Sequence, residues 1–161
     1  MSTLRKIIPC LWFDGQAEEA ANFYVSIFPN SKVGSTSRYG EAGPGPKGSV
    51  MTIAFDLDGL SFTALNGGPM FKFTEAISLV VHCETQAEVD HYWDKLSAGG
   101  QQVQCGWLKD KYGLSWQIVP DALMEFIQDK DPAKSQRVMA AMLQMKKIHI
   151  AGLKAAYAAA A

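Results

Sequence analysis

The sequence has little of what membrane-spanning or nucleic-acid-binding proteins depend on. No uninterrupted apolar run among its 161 residues approaches the roughly 20 that a helix needs to cross a bilayer. The formal net charge is -1, so no general basic field is available to hold a phosphate backbone. We therefore expect neither a membrane nor a nucleic acid as a partner.

Cysteine is also scarce. The chain has three, Cys10, Cys83 and Cys105, which are far apart and show no Cys-x-x-Cys spacing. An odd, scattered set does not indicate a disulfide framework or a structural zinc site. The N-terminal residues lack the apolar core and cleavage site of a signal peptide. We expect a reducing, cytoplasmic location, with the thiols buried and without a catalytic role.

An internal repeat is the most informative feature that is present. Residues 56–62 and 110–116 share Asp, Gly, Leu and Ser at an offset of 54, followed by Phe62 and Trp116. A second match, Gln-Ala-Glu at 16–18 and 86–88, has an offset of 70. Two copies of a helix-then-hairpin unit predict a pseudo-symmetric fold.

Periodicity predicts the same order of elements in both copies. In the first, apolar runs and alternation predict strands over 7–13, 32–39, 50–57 and 60–65, and a helix over 16–28. In the second, strands are predicted over 76–83, 103–108 and 114–119, with a helix that starts at a Thr85/Glu88 capping box and ends at Gly99-Gly100. We assign both copies the order β-α-β-β-β, with three of the four strands of the second copy located, and the fold class is α+β.

The two offsets differ by 16 residues, and the obvious place for additional residues in the first copy is the stretch 40–48. This Gly- and Pro-rich stretch cannot form a regular strand. A mobile lid and an unstructured hairpin tip are both compatible with its composition.

The C-terminal residues lie outside the repeat. Helices are predicted over 121–128, 133–145 and 148–161, with several Met residues on their apolar sides. Such a tail covers a sheet edge or packs on a partner subunit, and packing within the same domain is the alternative. We expect one domain over 1–161, with module one at 5–68, module two at 74–120, the tail at 121–161, and a homodimer.

Three stretches make the chain resemble a known group. A tandem β-α-β-β-β with these hairpins resembles the vicinal oxygen chelate superfamily, which includes glyoxalase I, bleomycin-resistance proteins and extradiol dioxygenases. Residues 11–24 and 110–118 resemble its PhnB-like branch, and residues 142–150 resemble the C-terminal helix of the demethylubiquinone methyltransferase-like subgroup. The resemblance implies one cupped mixed sheet per module, both facing a shared cleft.

The resemblance also implies positions for a metal site. Metal enzymes of the superfamily hold a divalent ion with His and Glu on the first and last strands of each module. The corresponding positions here are Pro9, Thr63, Ser78 or Leu79, and Gln117. Pro and Leu cannot ligate through their side chains, and Thr, Ser and Gln are weak neutral ligands. His82, His91 and His149 lie elsewhere, so we expect no metal and no cofactor.

Strand alternation identifies candidate ligand-binding residues. If Gln117 points into the cleft, Ser115, Thr63 and Ser61 do so as well, with Phe62 and Trp116 on the helix side. Trp107, Lys109 and Arg38 are candidates for the cleft mouth. Small hydroxyls, an amide, an aromatic ring and cations suit a small anionic or planar organic ligand.

Three functions remain open at this point. The leading one is a metal-independent protein that binds a small organic ligand in the inter-module cleft, similar to the resistance branch. The second is a metal-dependent lyase, isomerase or dioxygenase-type enzyme with atypical ligands. Asp56, Asp110 and Glu75 are the available carboxylates, but turn-forming hydrogen bonds explain the first two. The third is a structural or partner-binding dimer whose cleft is vestigial. Methyl transfer is disfavoured, because no Gly-rich cofactor loop follows the first strand.

Overall fold

The computed structural model describes residues 5–160 and divides after Phe73 into two compact units. This boundary lies between the two predicted modules. The first unit contains β1 (Cys10–Phe13), α1 (Ala17–Ile27), β2 (Lys32–Arg38), β3 (Val50–Leu57) and β4 (Leu60–Asn66). The second contains β5 (Ser78–Cys83), α2 (Gln86–Ser97), β6 (Gln101–Gln102), β7 (Trp107–Lys109), β8 (Ser115–Pro120), α3 (Asp121–Ile127), α4 (Pro132–Leu143) and α5 (Ile150–Ala158).

The first unit is a four-stranded mixed sheet in the order β1-β4-β3-β2, with β1 and β4 parallel. Alternation along β3 buries Ile53, Phe55 and Leu57 on one face. α1 contacts β3 and β4, and the Tyr24 and Phe55 rings stack at 6.1 Å. The apolar side of α1 therefore lies on the buried face of β3.

The turn between β3 and β4 follows from two residues. Asp58 and Gly59 have φ values of 43° and 83°. Two consecutive positive φ angles define the tight hairpin turn that Asp-Gly favours. The register continues without a shift from Leu57↔Leu60 along the two strands.

The second unit repeats this topology in the order β5-β8-β7-β6, again with its first and last strands parallel. Thr85 caps α2 through its hydroxyl, which accepts from the Glu88 amide at 3.2 Å. The Glu88 carboxylate accepts from Glu84, one residue before the cap. The predicted α+β fold of tandem β-α-β-β-β modules with two mixed sheets is confirmed.

Two predicted elements differ from the structure. Residues 103–108 were expected to form one strand, but β6 and β7 flank a turn in which Cys105 and Gly106 have φ values of 60° and 80°. The first strand begins at Cys10 rather than at residue 7. Short apolar runs do not reveal such turns, because the turn depends on contacts with distant residues.

One of these distant contacts comes from the tail. The amides of Cys105 and Gly106 donate to the carbonyls of Met145 and Lys146, both at 2.8 Å. A small core forms from Val119, Leu123, Val138, Ile148 and Leu153. The structure therefore shows the intrachain packing that was one of the predicted alternatives, and the homodimer stays a prediction. No helix within residues 5–160 is long and apolar enough to cross a membrane.

Candidate functional site

The second sheet has one face covered by α2 and one that we call the second-sheet face. On β8, Trp116 and Ile118 are buried on the helix side, as predicted. Alternation places Ser115 and Gln117 on the opposite face. The second-sheet face is defined by residues paired with these two across the strands. They are Ser78, Val80, Trp107, Lys109, Ser115 and Gln117.

Ser115 is an unusual residue of this face. It is 1% exposed, and its Oγ has no hydrogen-bond partner within the described part of the chain. A buried hydroxyl without a partner loses the hydrogen bonds that water would supply, at a cost of about 1–3 kcal/mol. Ser61, its counterpart in the repeat, is only half-buried.

The polar neighbours of Ser115 differ in the hydrogen bonds that they already make. The Gln117 amide nitrogen donates to the Ser78 hydroxyl at 2.9 Å. Lys109 pairs with Ser115 in register, and its ammonium group forms an ion pair with the Glu75 carboxylate. The hydrogen bond from Lys109 lowers the pKa of Glu75 below its ordinary value. Because the Glu75 side chain is 61% exposed, a competing anion meets little steric hindrance.

The three candidates in the first unit are arranged differently. Ser61 and Thr63 lie on the open face of β4, opposite Asp56 and Ala54 of β3. Arg38 is at the end of β2, where its guanidinium donates to the Gly48 carbonyl at 3.1 Å. The sheet therefore brings Ser61 and Thr63 together and holds Arg38 against the 40–48 loop.

The donors at the implied metal positions do not fit a divalent ion. Thr63, Ser78 and Gln117 are neutral, and Ser78 already accepts from Gln117. Within residues 5–160, no group of three or more His, Cys, Asp and Glu side chains is close enough to hold an ion. His82 lies near the end of β5, at the strand end where it was predicted. Its ring nitrogen is 3.7 Å from the Asp121 carboxylate.

The thiols were expected to be buried, and this is wrong for Cys10. Cys83 is buried, but Cys10 is exposed and Cys105 half-buried. Burial raises the pKa of Cys83 to about 12. The Cys10 residue is exposed, but partial desolvation of its thiol also raises the pKa of Cys10. Neither residue is therefore a ready thiolate at neutral pH.

The repeated Asp residues have different environments. Asp110 is 2% exposed, and its carboxylate accepts from the Tyr112 and Leu114 amides and from the Trp116 indole at 2.9, 3.1 and 2.9 Å. Asp56 lies inside β3, 4.0 Å from Lys32. The turn-forming role predicted for both holds for Asp110 and is wrong for Asp56.

Sequence reasoning missed a pocket of about 440 Å³ in the first unit. It lies between the 40–48 loop, the turn after β1 and the end of β4, and none of the seven predicted site residues lines it. The signal that could have indicated it is the loop composition, since Gly- and Pro-rich loops often cover ligand sites.

Comparisons with known proteins agree with this architecture. A family model described as 3-demethylubiquinone-9 3-methyltransferase matches residues 5–119. A PhnB protein from Bacillus cereus is 42% identical over 72% of this chain and 99% of its own, with a TM-score of 0.66. No curated protein matches the sequence.

Two more distant structures share the fold. Protein PA1353 from Pseudomonas aeruginosa is 18% identical, covers 73% of this chain and 98% of its own, and has a TM-score of 0.60. The fosfomycin resistance protein FosX from Mesorhizobium loti is 10% identical over 74% of this chain and 91% of its own, with a TM-score of 0.51. The turn after β1 has a single glycine, Gly15, so it does not fit the methyl-donor cofactor that the family name implies.

The match over residues 5–119 and the PhnB relative establish the family, and the repeated β-α-β-β-β topology agrees with it. The chain belongs to the 3-demethylubiquinone-9 3-methyltransferase family, the PhnB-like branch of the vicinal oxygen chelate superfamily.

Proposed function

We propose that this chain binds a small organic ligand on the second-sheet face and needs no metal at the usual positions of the superfamily. The observation that supports this most directly is the buried Ser115 hydroxyl, which has no hydrogen-bond partner among residues 5–160. The location predicted from the sequence, between the two modules, remains a prediction.

A ligand would supply what this face lacks. The Ser115 Oγ is buried, so a ligand has to displace the group that covers it; an acceptor or donor on the ligand then bonds to the hydroxyl and removes the cost of leaving it unpaired. An anionic group can take the place of the exposed Glu75 carboxylate at Lys109, since a charge-assisted hydrogen bond is the stronger kind. Trp107, half-buried on β7, offers a planar surface. These features suit a small anionic or planar molecule.

The relatives support the family and the fold of this chain, but they do not indicate which ligand it binds. The PhnB protein is close enough in sequence to place the chain in its family. The FosX structure is described as a fosfomycin resistance protein, and at 10% identity it supports the shared fold alone. Neutral donors at the implied metal positions do not favour the metal-dependent enzyme, which stays the alternative function.

Thermal melting and calorimetric titration with benzoate, phenylphosphonate and phenol test the binding function. We expect at least one of these to raise the melting temperature. Ser115→Ala should leave the free protein as stable or more stable, because it removes the unpaired hydroxyl, and should weaken binding. Lys109→Met should lower the affinity for the two anions, benzoate and phenylphosphonate, by about tenfold, and should lower the affinity for phenol much less.

Two exposed residues provide matched controls, Ser35→Ala on β2 and Lys154→Met on α5, and both should bind as the unmodified chain does. If Ser115→Ala and Lys109→Met both bound the probes as tightly as the unmodified chain does, the proposed binding face would be contradicted. A stoichiometric divalent ion in protein purified without a histidine tag would instead favour the metal-dependent enzyme.

A further inference from the structure

The 440 Å³ pocket of the first unit shares no lining residue with the second-sheet face and has its own chemistry. Its volume falls within the roughly 300–1,000 Å³ typical of small-molecule sites. Asp14 and Glu18 line one side, Pro44 and Pro46 of the 40–48 loop line another, and Tyr39 and Asn66 complete it.

Tyr39 holds the loop in place. Its ring is buried, and its hydroxyl donates to the Asn66 carbonyl. A Cβ at Gly43 or Gly45 would overlap the Tyr39 ring, so only glycine lets the loop backbone approach this closely. The loop therefore packs on a fixed aromatic side chain, and the hairpin-tip alternative does not describe this packing.

Asn66 joins the remaining elements around the pocket. Its side-chain oxygen accepts from the Ala17 amide at the start of α1 at 2.8 Å. Its side-chain nitrogen donates to the Val50 carbonyl at the start of β3 at 3.1 Å. Three elements are thus fixed by one side chain, and the floor of the pocket is preorganised.

The charge of the pocket has one sign. Asp14 and Glu18 are the charged residues among those that line it. Of two cations on the segments beside the loop, Lys47 is paired with Glu41 at 2.7 Å, and Arg38 keeps its charge while its guanidinium donates to the Gly48 carbonyl. Among the groups that line the pocket, two carboxylates outweigh the roughly half positive charge of the α1 N-terminus, so the lining attracts cations.

We propose that this pocket binds a small organic cation, an amine with a compact apolar body. The carboxylates of Asp14 and Glu18 would receive the ammonium group, and Pro44, Pro46 and the edge of Tyr39 would contact the apolar part. A bare metal ion fits less well, because the pocket is far larger than an ion and supplies two carboxylates rather than a full set of oxygen ligands.

The test uses the full chain and two probes of matched shape, benzylammonium and benzoate, with amide chemical shifts as the readout. Benzylammonium should shift the amide signals of Gly45, Gly67 and Gly68, and benzoate should not. The double variant Asp14→Asn/Glu18→Gln should lower the affinity for benzylammonium by about tenfold or more. Asp58→Asn removes the same kind of charge at the distant hairpin, where Asn tolerates the positive φ, and should bind normally.

Several results would overturn the proposal. They are the absence of benzylammonium shifts at these glycines, equal binding by the double variant, equal shifts from benzoate, or calcium ions shifting these signals where benzylammonium does not. If the double variant fails to fold, the comparison of the two probes on the unmodified chain still decides. Lys109→Met should leave benzylammonium binding unchanged, which separates this site from the second-sheet face.

Discussion

At the residue scale, the repeat shows how identical residues acquire different roles. Asp56 and Asp110 occupy the same position of the repeated motif. Asp56 faces a mostly exposed Lys32 across a strand pair, whereas Asp110 is buried and accepts three hydrogen bonds in the turn before β8. A two-residue hairpin in the first unit needs no such anchor, because Asp58-Gly59 turns the chain without one.

Removing the Asp110 carboxylate should therefore destabilise the second unit strongly. Asp110→Ala leaves two amides and one indole without their acceptor, and we expect a loss of on the order of 3 kcal/mol in the free energy of unfolding. Urea unfolding followed by tryptophan fluorescence measures it. Asp56→Ala is the matched control and should cost less than about 1 kcal/mol, since exposed ion pairs contribute little. Equal losses in the two variants would show that the turn does not depend on Asp110.

At the element scale, the other repeated motif is used in a similar asymmetric way. Gln16 and Gln86 each precede the Ala-Glu of a helix start. Gln16 makes no side-chain cap to α1. The Gln86 side chain donates to the Ile148 carbonyl at 3.1 Å and accepts from the Ile150 amide at 2.8 Å. One glutamine thus attaches the start of α5 to the start of α2.

Gln86→Ala should loosen this attachment while leaving the sheet intact. We expect amide hydrogen exchange to accelerate at Ile150 and Leu153 by about tenfold or more, because two backbone groups lose their partners. Exchange in β7 and β8 should hardly change. Gln16→Ala is the control and should not alter exchange in α5. If the Ile150 amide of Gln86→Ala exchanged as slowly as in the unmodified chain, the packing of Val138 and Leu153 alone would be enough to hold the tail on the second unit.

At the scale of the whole molecule, the tail lies beyond the residues that the family model matches. The family model ends at residue 119, and the PhnB relative from Bacillus cereus matches 72% of this chain over nearly all of its own length. The likeness of residues 142–150 to a subgroup helix therefore lies outside the match. In this chain, the tail supplies partners for Cys105, Gly106 and Val119 of the second unit.

Deleting residues 121–161 should consequently destabilise the second unit and spare the first. The deletion exposes Val119 and removes two hydrogen bonds from the turn before β7, so we expect a loss of several kcal/mol in that unit. Tryptophan reports on the two units separately, since Trp12 is in the first and the other three are in the second. If the second unit of the deletion variant unfolded at the same denaturant concentration as in the full chain, the tail would not be needed for the stability of that unit.

Much of the fold could be predicted because its determinants are local. Alternation in Val50–Leu57, the Asp58-Gly59 turn and the Thr85 cap each depend on residues within a few positions, and all three occur in the structure. The candidate site was predicted less fully. Strand parity placed Ser115 and Gln117 on one face, but the missing partner of the Ser115 hydroxyl and the ion pair of Lys109 with Glu75 depend on packing.

The sequence by itself determined the two modules, their element order and the family, because periodicity, turn residues and caps act between near neighbours along the chain. The tertiary structure alone decided which Asp is buried, which Gln attaches the tail, and that residues 40–48 fold over Tyr39 to form a pocket. Those outcomes depend on partners that are distant in sequence. A repeated motif cannot encode them, since both copies carry the same residues and only their surroundings differ.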